Sequence, residues 1–187
     1  MNRVCCFTGY RPHRFDFSPD GLRPEQVQAA LGEQIRRLYD EGYRTFISGM
    51  STGVDMWAAA EVLTLREVHP DVELIAAVPF VGQESHWAIP LQREYRRILD
   101  AAQRVEVLFD AAAAEKNAAE CYTKRNRWMV DRADTVLAVC EIDLPDSRTG
   151  TAATVRYARR LQKRILYIHP VTLETAEETV QQIEFMM

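Results

Sequence analysis

The chain has 187 residues and a formal net charge of −4, a length that allows one domain with a full hydrophobic core. Hydrophobic residues make up 47% of it, which excludes a disordered chain. No apolar run approaches the ~20 residues needed to span a bilayer, and the mild acidity gives no reason to expect general affinity for nucleic acid.

Short β-branched runs alternate with longer segments of helical period. Residues 4–7 read as a first strand, after Met1-Asn2-Arg3, which lacks the apolar core and cleavage site of a signal peptide. A cytoplasmic chain without membrane association is expected. Residues 24–39 read as a helix, with Val27, Leu31, Ile35 and Leu38 at spacings of four and three and Pro24 in the first turn. A second strand at 45–48, a helix at 55–68, a third strand at 72–78, a helix at 91–102 and a short fourth strand at 104–108 follow. The Ala-rich stretch 110–120 is ambiguous: its composition allows a helix, but with little to bury it reads as a mobile segment, a candidate lid, leading into a helix at 124–132. Residues 135–140 are the clearest buried strand; a helix at 149–162, a strand at 164–168 and a closing helix at 173–185 complete the chain. Cys5, Cys6, Cys121 and Cys140 form no CxxC pair and have no histidine at zinc-finger spacing, so they read as reduced core cysteines and no metal site is expected.

This alternation predicts an α/β fold: a single Rossmann-like three-layer sandwich over residues 1–187, with a mostly parallel sheet and helices on both faces. Ligands of such sheets bind outside the carboxyl ends of the strands, so the segments just after each strand carry the functional reading.

After the first strand, Thr8-Gly9-Tyr10-Arg11 offers a tight turn or close approach at Gly9 and an arginine for a phosphate or carboxylate; the alternative is a plain surface turn. After the second strand, Gly49-Met50-Ser51-Thr52-Gly53 precedes a helix, and its backbone N–H groups with the helix amino end would form an anion cradle. It is neither a P-loop nor GxGxxG. Asp55 either complements the helix dipole or accepts bonds from ribose hydroxyls. After the third strand, Trp87 is either a platform for a base or a core anchor, and His86 is a solvated histidine. Lys124, Arg125, Asn126 and Arg127 set positive charge near a helix start, for steering a phosphate or as a solvated basic face. After the fifth strand, Thr149-Gly150-Thr151 at a helix start is a second anion cradle.

Together, TGYRP, SGMSTGVDMWAAAE, PFVGQESHW, YTKRNRWMVDRAD and SRTGTAATVRYA, in that order, resemble the SLOG superfamily, specifically its YpsA-like branch. The resemblance implies a Rossmann-like fold and a nucleotide-derived ligand similar to ADP-ribose, NAD or a nucleoside phosphate; no other cofactor is implied. The Lonely Guy phosphoribohydrolases are related, with an RK..M helix segment and a PGGxGTxxE loop. Arg125 and Met129 match the first, with Asn126 in place of the lysine; Gly150 and Thr151 match the second, with Ser147 and Arg148 in place of the glycines and Thr154 in place of the catalytic glutamate.

Three functions compete. In the first, a binding or sensing module, Gly49, Ser51, Thr52, Gly53, Gly150 and Thr151 cradle phosphate, Arg11 and Arg125 neutralise it and Asp55 binds ribose. In the second, an N-glycoside hydrolase, cleavage needs a carboxylate near an oxocarbenium-like centre. With threonine at 154, the candidate catalytic residues are Asp55, Glu84 and Arg125. The third, single-stranded DNA handling as in the related DNA-processing protein A, is disfavoured by net charge and by the lack of an accessory domain. The expected partner is a small nucleotide-like ligand, with nucleic acid and membrane not expected. A homo-oligomer is implied by relatives that pair through surface helices.

Overall fold

In a computed structural model, the described residues are 3–15, 17, 21–143 and 148–179. The elements are β1 (Arg3–Gly9), α1 (Pro24–Asp40), β2 (Tyr43–Ser48), α2 (Val54–Val68), β3 (Glu73–Phe80), α3 (Ile89–Ala101), β4 (Arg104–Phe109), α4 (Ala111–Arg132), β5 (Thr135–Val139), α5 (Gly150–Arg160), β6 (Arg164–Ile168) and β7 (Thr175–Glu178), with a 3-10 turn at Pro12–Arg14. They form an α/β Rossmann-like fold.

The sheet order is β4-β3-β2-β1-β5-β6-β7. All pairs are parallel except β6–β7. The chain winds outward from β1 to β4, then returns to start again at β5 on the other side of β1. The switch point of the winding therefore lies between β1 and β5, which stay paired to their last residues while the connections that follow them leave in opposite directions and form a crevice. Strands β1, β2, β3 and β5 are buried along nearly their whole length because helices cover both faces. Phe7 and Phe46 stack within that core at 6.1 Å.

Two segments differ from expectation. The stretch 110–120 is helical, as the first part of α4. Its start is capped by Asp110, which accepts from the Ala113 N–H at 2.8 Å. The helix breaks at Asn117 (φ −162, ψ 83), whose Oδ1 accepts from the Glu120 N–H at 3.1 Å and caps the second half. Alanine propensity and two caps thus order a segment that has little to bury.

The closing helix expected at 173–185 is instead strand β7 at 175–178, and the expected residues beyond 179 lie outside the described residues. The helical period in that stretch lost to cross-strand pairing. Glu177 bonds to Arg164 and Arg37, and Glu178 accepts from Arg159 and from Tyr167 at 2.8 Å. These charges also keep the outer sheet edge from pairing elsewhere.

Arg164 is the centre of a network that also reaches Glu41 at the end of α1. Hydrogen bonds from Arg164 hold the carboxyls of Glu41 and Glu177 below the usual carboxylate range. In the unfolded chain both return to ordinary values and take up protons first, so these pairs stabilise the fold above that range and the stabilisation is lost as pH falls through the lowered values. All three side chains are partly exposed, which limits each pair to ~1 kcal/mol. Glu177→Gln is expected to lower the melting temperature by about 2–4 °C at neutral pH, with the deficit shrinking at acid pH as the lowered carboxyl range is crossed. Thermal melts at the two pH values check this; an equal deficit at both contradicts it.

Candidate functional site

The turn after β2 is organised by a buried ion pair. Arg125, from α4, is 3% exposed and sends Nη1 to Asp55 Oδ2 at 3.4 Å and Nη2 to Ser51 Oγ at 3.1 Å. Burial pushes the Asp55 carboxyl up against the opposing pull of the Arg125 charge, and burial likewise lowers Arg125. The neighbouring positions make room for this pair. A Cβ at Gly49 would overlap Arg125 Nη1, so only glycine seats the guanidinium. Gly53 has φ +89, and a Cβ there would lie 2.7 Å from the Tyr10 carbonyl oxygen.

Several amides of the turn after β2, expected to form an anion cradle, are engaged within the protein. The Met50 N–H donates to Ser48 Oγ at 3.1 Å, Ser51 N–H to Asp55 Oδ2 at 3.3 Å, Val54 N–H to the Tyr10 carbonyl at 3.4 Å, and Met56 N–H to the Ser51 carbonyl at 3.2 Å. The Met50 and Ser51 amides thus bond to the loop's own acceptors, whereas those of Thr52 and Gly53 meet no acceptor among the described residues. From this turn, Ser51 and Asp55 line the crevice at the switch point.

The crevice at the switch point holds a cavity of about 540 Å³. Its floor is the end of β1, Phe7, Thr8 and Gly9, with Ser51 and Asp55 alongside. One wall is α4, with Tyr122, Thr123, Arg125 and Asn126; the opposite wall is Arg148, Thr149, Gly150 and Thr151 at the start of α5. Tyr10, Arg11, His13 and Arg14 lie along a further side. Thr151 Oγ1 donates to the Gly9 carbonyl at 2.9 Å, which ties the start of α5 to the end of β1. Thr149 caps α5 by accepting from the Ala152 N–H at 3.2 Å. The N–H groups of Gly150 and Thr151 meet no acceptor among the described residues, and they carry the partial positive charge of the helix end. Four arginines line this space against one carboxylate, Asp55, itself tied to Arg125. Arg125 Nε is buried without a partner among the described residues.

Of the residues expected at a ligand site, Thr8, Gly9, Arg11, Ser51, Asp55, Arg125, Asn126, Thr149, Gly150 and Thr151 line this one cavity. Gly49, Thr52 and Gly53 lie behind it; Thr52 Oγ1 accepts from Arg11 Nη1 at 3.5 Å. Trp87 lies elsewhere, edge-on to Tyr95 at 5.3 Å, where it anchors the start of α3. Glu84 also lies outside the cavity, 4.0 Å from Arg96, and His86 is exposed. The residue reading missed Tyr10, Arg14 and Tyr122. Tyr122 stands three residues before Arg125, so helical spacing put it on the same face. Tyr10 donates to Glu141, and burial with that bond pushes its hydroxyl up to about 12. Arg14 lies 4.8 Å over the Tyr10 ring and Arg11 lies 5.8 Å over the Tyr122 ring, so aromatic faces hold two of the cations at the cavity.

Thr154 donates its hydroxyl to the Gly150 carbonyl at 2.8 Å inside the first turns of α5. No carboxylate stands at that position. Among the described residues, no group of three His, Cys, Asp or Glu side chains is arranged to hold a metal ion. No described helix is long and apolar enough to cross a membrane.

Comparison with known proteins places this geometry. The YspA SLOG family profile matches residues 5–173. A UPF0398 protein of Halalkalibacterium halodurans is 31% identical over 146 residues, covering 78% of this chain and 76% of the relative. One from Bacillus licheniformis is 24% identical over 184 residues and covers 98% of each. Among solved structures, DNA processing protein A from Streptococcus pneumoniae shares the fold at 15% identity and TM-score 0.56, over 89% of this chain. DNA processing protein A from Helicobacter pylori, described for its unique single-stranded DNA binding mode, does so at 20% identity and TM-score 0.53, over 88% of this chain. This chain spans 50% and 64% of those two solved chains.

The Helicobacter pylori structure overturns the expectation against a nucleic-acid partner. That protein, which shares the fold, is described as binding single-stranded DNA, so whole-chain net charge does not by itself argue against such a partner. A net charge of −4 averages the whole surface, whereas binding responds to local potential, and here the arginines collect at the cavity.

The ion pair yields a stability prediction. Arg125→Ala strands the Asp55 carboxylate without its cation and is expected to cost about 3–5 kcal/mol. The double variant Asp55→Asn, Arg125→Met is expected to recover most of that loss. Urea unfolding midpoints check both; a single-variant loss below about 1 kcal/mol would show the pair to be solvated rather than buried.

Proposed function

The chain belongs to the YspA SLOG family, and from that premise we propose that it is a binding or sensing module for a nucleoside phosphate, of the kind found in AMP, ADP-ribose or NAD. The observation that carries this reading is that Gly150 and Thr151, whose amides meet no acceptor among the described residues, line a cavity together with Arg11, Arg14 and Arg148. A helix end and guanidinium forks together suit a phosphate. The volume of about 540 Å³ lies within the range of small-molecule sites. Tyr122 offers an apolar face to a base, and Thr8, Ser51, Thr123 and Asn126 offer partners to a sugar. The lone Arg125 Nε–H favours a guest with an acceptor, because a buried donor left unmet is costly.

The same geometry weighs against N-glycoside cleavage. That reaction calls for a free carboxylate at the anomeric carbon. Thr154 supplies none, Asp55 is committed to Arg125 and the Ser51 amide, and Glu84 is outside the cavity. A cytoplasmic location, beside the nucleotide pools, belongs to this proposal.

A second reading rests on the Helicobacter pylori protein: a nucleotide within a single strand presents the same phosphate and base to the same cavity. Calorimetric titration with AMP, ADP-ribose, NAD and a short single-stranded oligonucleotide separates the two. The proposal expects at least one free nucleotide to bind, no free base to be released, and Arg11→Ala to weaken binding about tenfold, as for loss of a charged hydrogen bond. No binding of any free nucleotide contradicts it, and oligonucleotide binding alone would favour the second reading.

A further inference from the structure

We infer that the cavity continues into a second anion seat on the seam between α4 and α5, so that the site takes a ligand with two phosphates separated by a nucleoside. The inference rests on the nucleoside-phosphate reading above and extends it.

A side recess of about 70 Å³ opens beside the main cavity and shares Thr123, Asn126, Gly150 and Ala153 with it as common wall. Its far side carries Arg127 from α4 and Arg160 from α5, with Tyr157 between them. The two guanidiniums lie 5.5 and 5.3 Å from the Tyr157 ring centre. The Tyr157 hydroxyl donates to Asp131 at 2.7 Å, which fixes the ring as a post for both cations.

Two cations meet in this recess. Arg37, Arg44, Arg97, Arg159 and Arg164 each pair with a carboxylate. Arg127 and Arg160 pair with none among the described residues, although both are held in place by an aromatic ring. Two positioned guanidiniums without a counter-ion suit a phosphate, which each can grip through two donors. The recess is too small for a base or sugar and suits one compact anion.

Spacing sets the class of ligand. Gly150 borders both spaces, and Thr154, Tyr157 and Arg160 follow it at intervals of four, three and three along one face of α5. At 1.5 Å per residue, Tyr157 stands about 10 Å along the axis from the amides at the helix start. Two directly joined phosphates share a bridging oxygen and fall well short of that. Phosphates on either side of one nucleoside stand further apart, and the long side chains of Arg127 and Arg160 cover the remaining distance.

The test is calorimetric titration of AMP and of the linear, 5′-phosphorylated dinucleotide pApA, with the wild-type protein and the Arg127→Ala, Arg160→Ala double variant. Both residues are exposed, and circular dichroism checks that the variant folds. The expected result is pApA binding at least tenfold more tightly than AMP to wild type, that advantage disappearing in the double variant, and AMP affinity unchanged between the two proteins. Dinucleotide affinity no better than AMP in wild type, or an advantage that survives the double variant, overturns the second seat while leaving the first intact. If neither compound binds wild type, the nucleoside-phosphate reading itself fails.

Discussion

The site depends on one interaction, the buried pair between Arg125 and Asp55. Two opposite charges taken out of water need each other and further hydrogen bonds to be tolerated. Here Ser51 supplies those bonds to both partners, through its hydroxyl to Arg125 and its amide to Asp55. The pair spans α4 and the start of α2, which lie far apart in sequence, and so fixes where the α4 wall stands relative to the ends of β1 and β2. It also explains why the turn after β2 is made of small residues. Gly49 and Gly53 leave space for the guanidinium and for the Tyr10 carbonyl, respectively, and this turn has no donors aimed at a ligand from Met50 or Ser51.

With the Met50 and Ser51 amides engaged, the proposed reading seats the anion at the turn after β5. Thr151 pins the start of α5 to Gly9, Thr149 caps it through its side chain, and the amides of Gly150 and Thr151 meet no acceptor among the described residues. The arginines then act as a local field in a protein whose total charge is negative. A low-dielectric crevice strengthens that field, and the rings of Tyr10, Tyr122 and Tyr157 orient guanidiniums that would otherwise sweep through solvent.

Much of this was legible in the chain. The strand–helix alternation gave the sheet, because apolar runs of four to six residues between helical segments are hard to bury otherwise. Ten of the residues read as ligand contacts meet in one crevice, since the fold places every strand end on the same side of the sheet. What the chain hid was long-range. Nothing near Gly49 says that an arginine some 75 residues later fills the space beside it, so the loop read as empty. Trp87 could have faced a base or the core, and only the placement of Tyr95 decides for the core. The segment 175–178 carried a helical period, but Arg164 and Tyr167 on the neighbouring strand captured its glutamates. Tertiary partners overrode local pattern in each case.

The account turns on which backbone amides an anionic guest meets. Two-dimensional ¹H–¹⁵N NMR during titration with AMP reads this residue by residue. The largest shifts are predicted at Gly150 and Thr151, with Met50 and Ser51 nearly unmoved because their amides already have acceptors. Shifts concentrated at Met50 to Gly53, with Gly150 and Thr151 silent, would contradict the account and return the anion to the turn after β2.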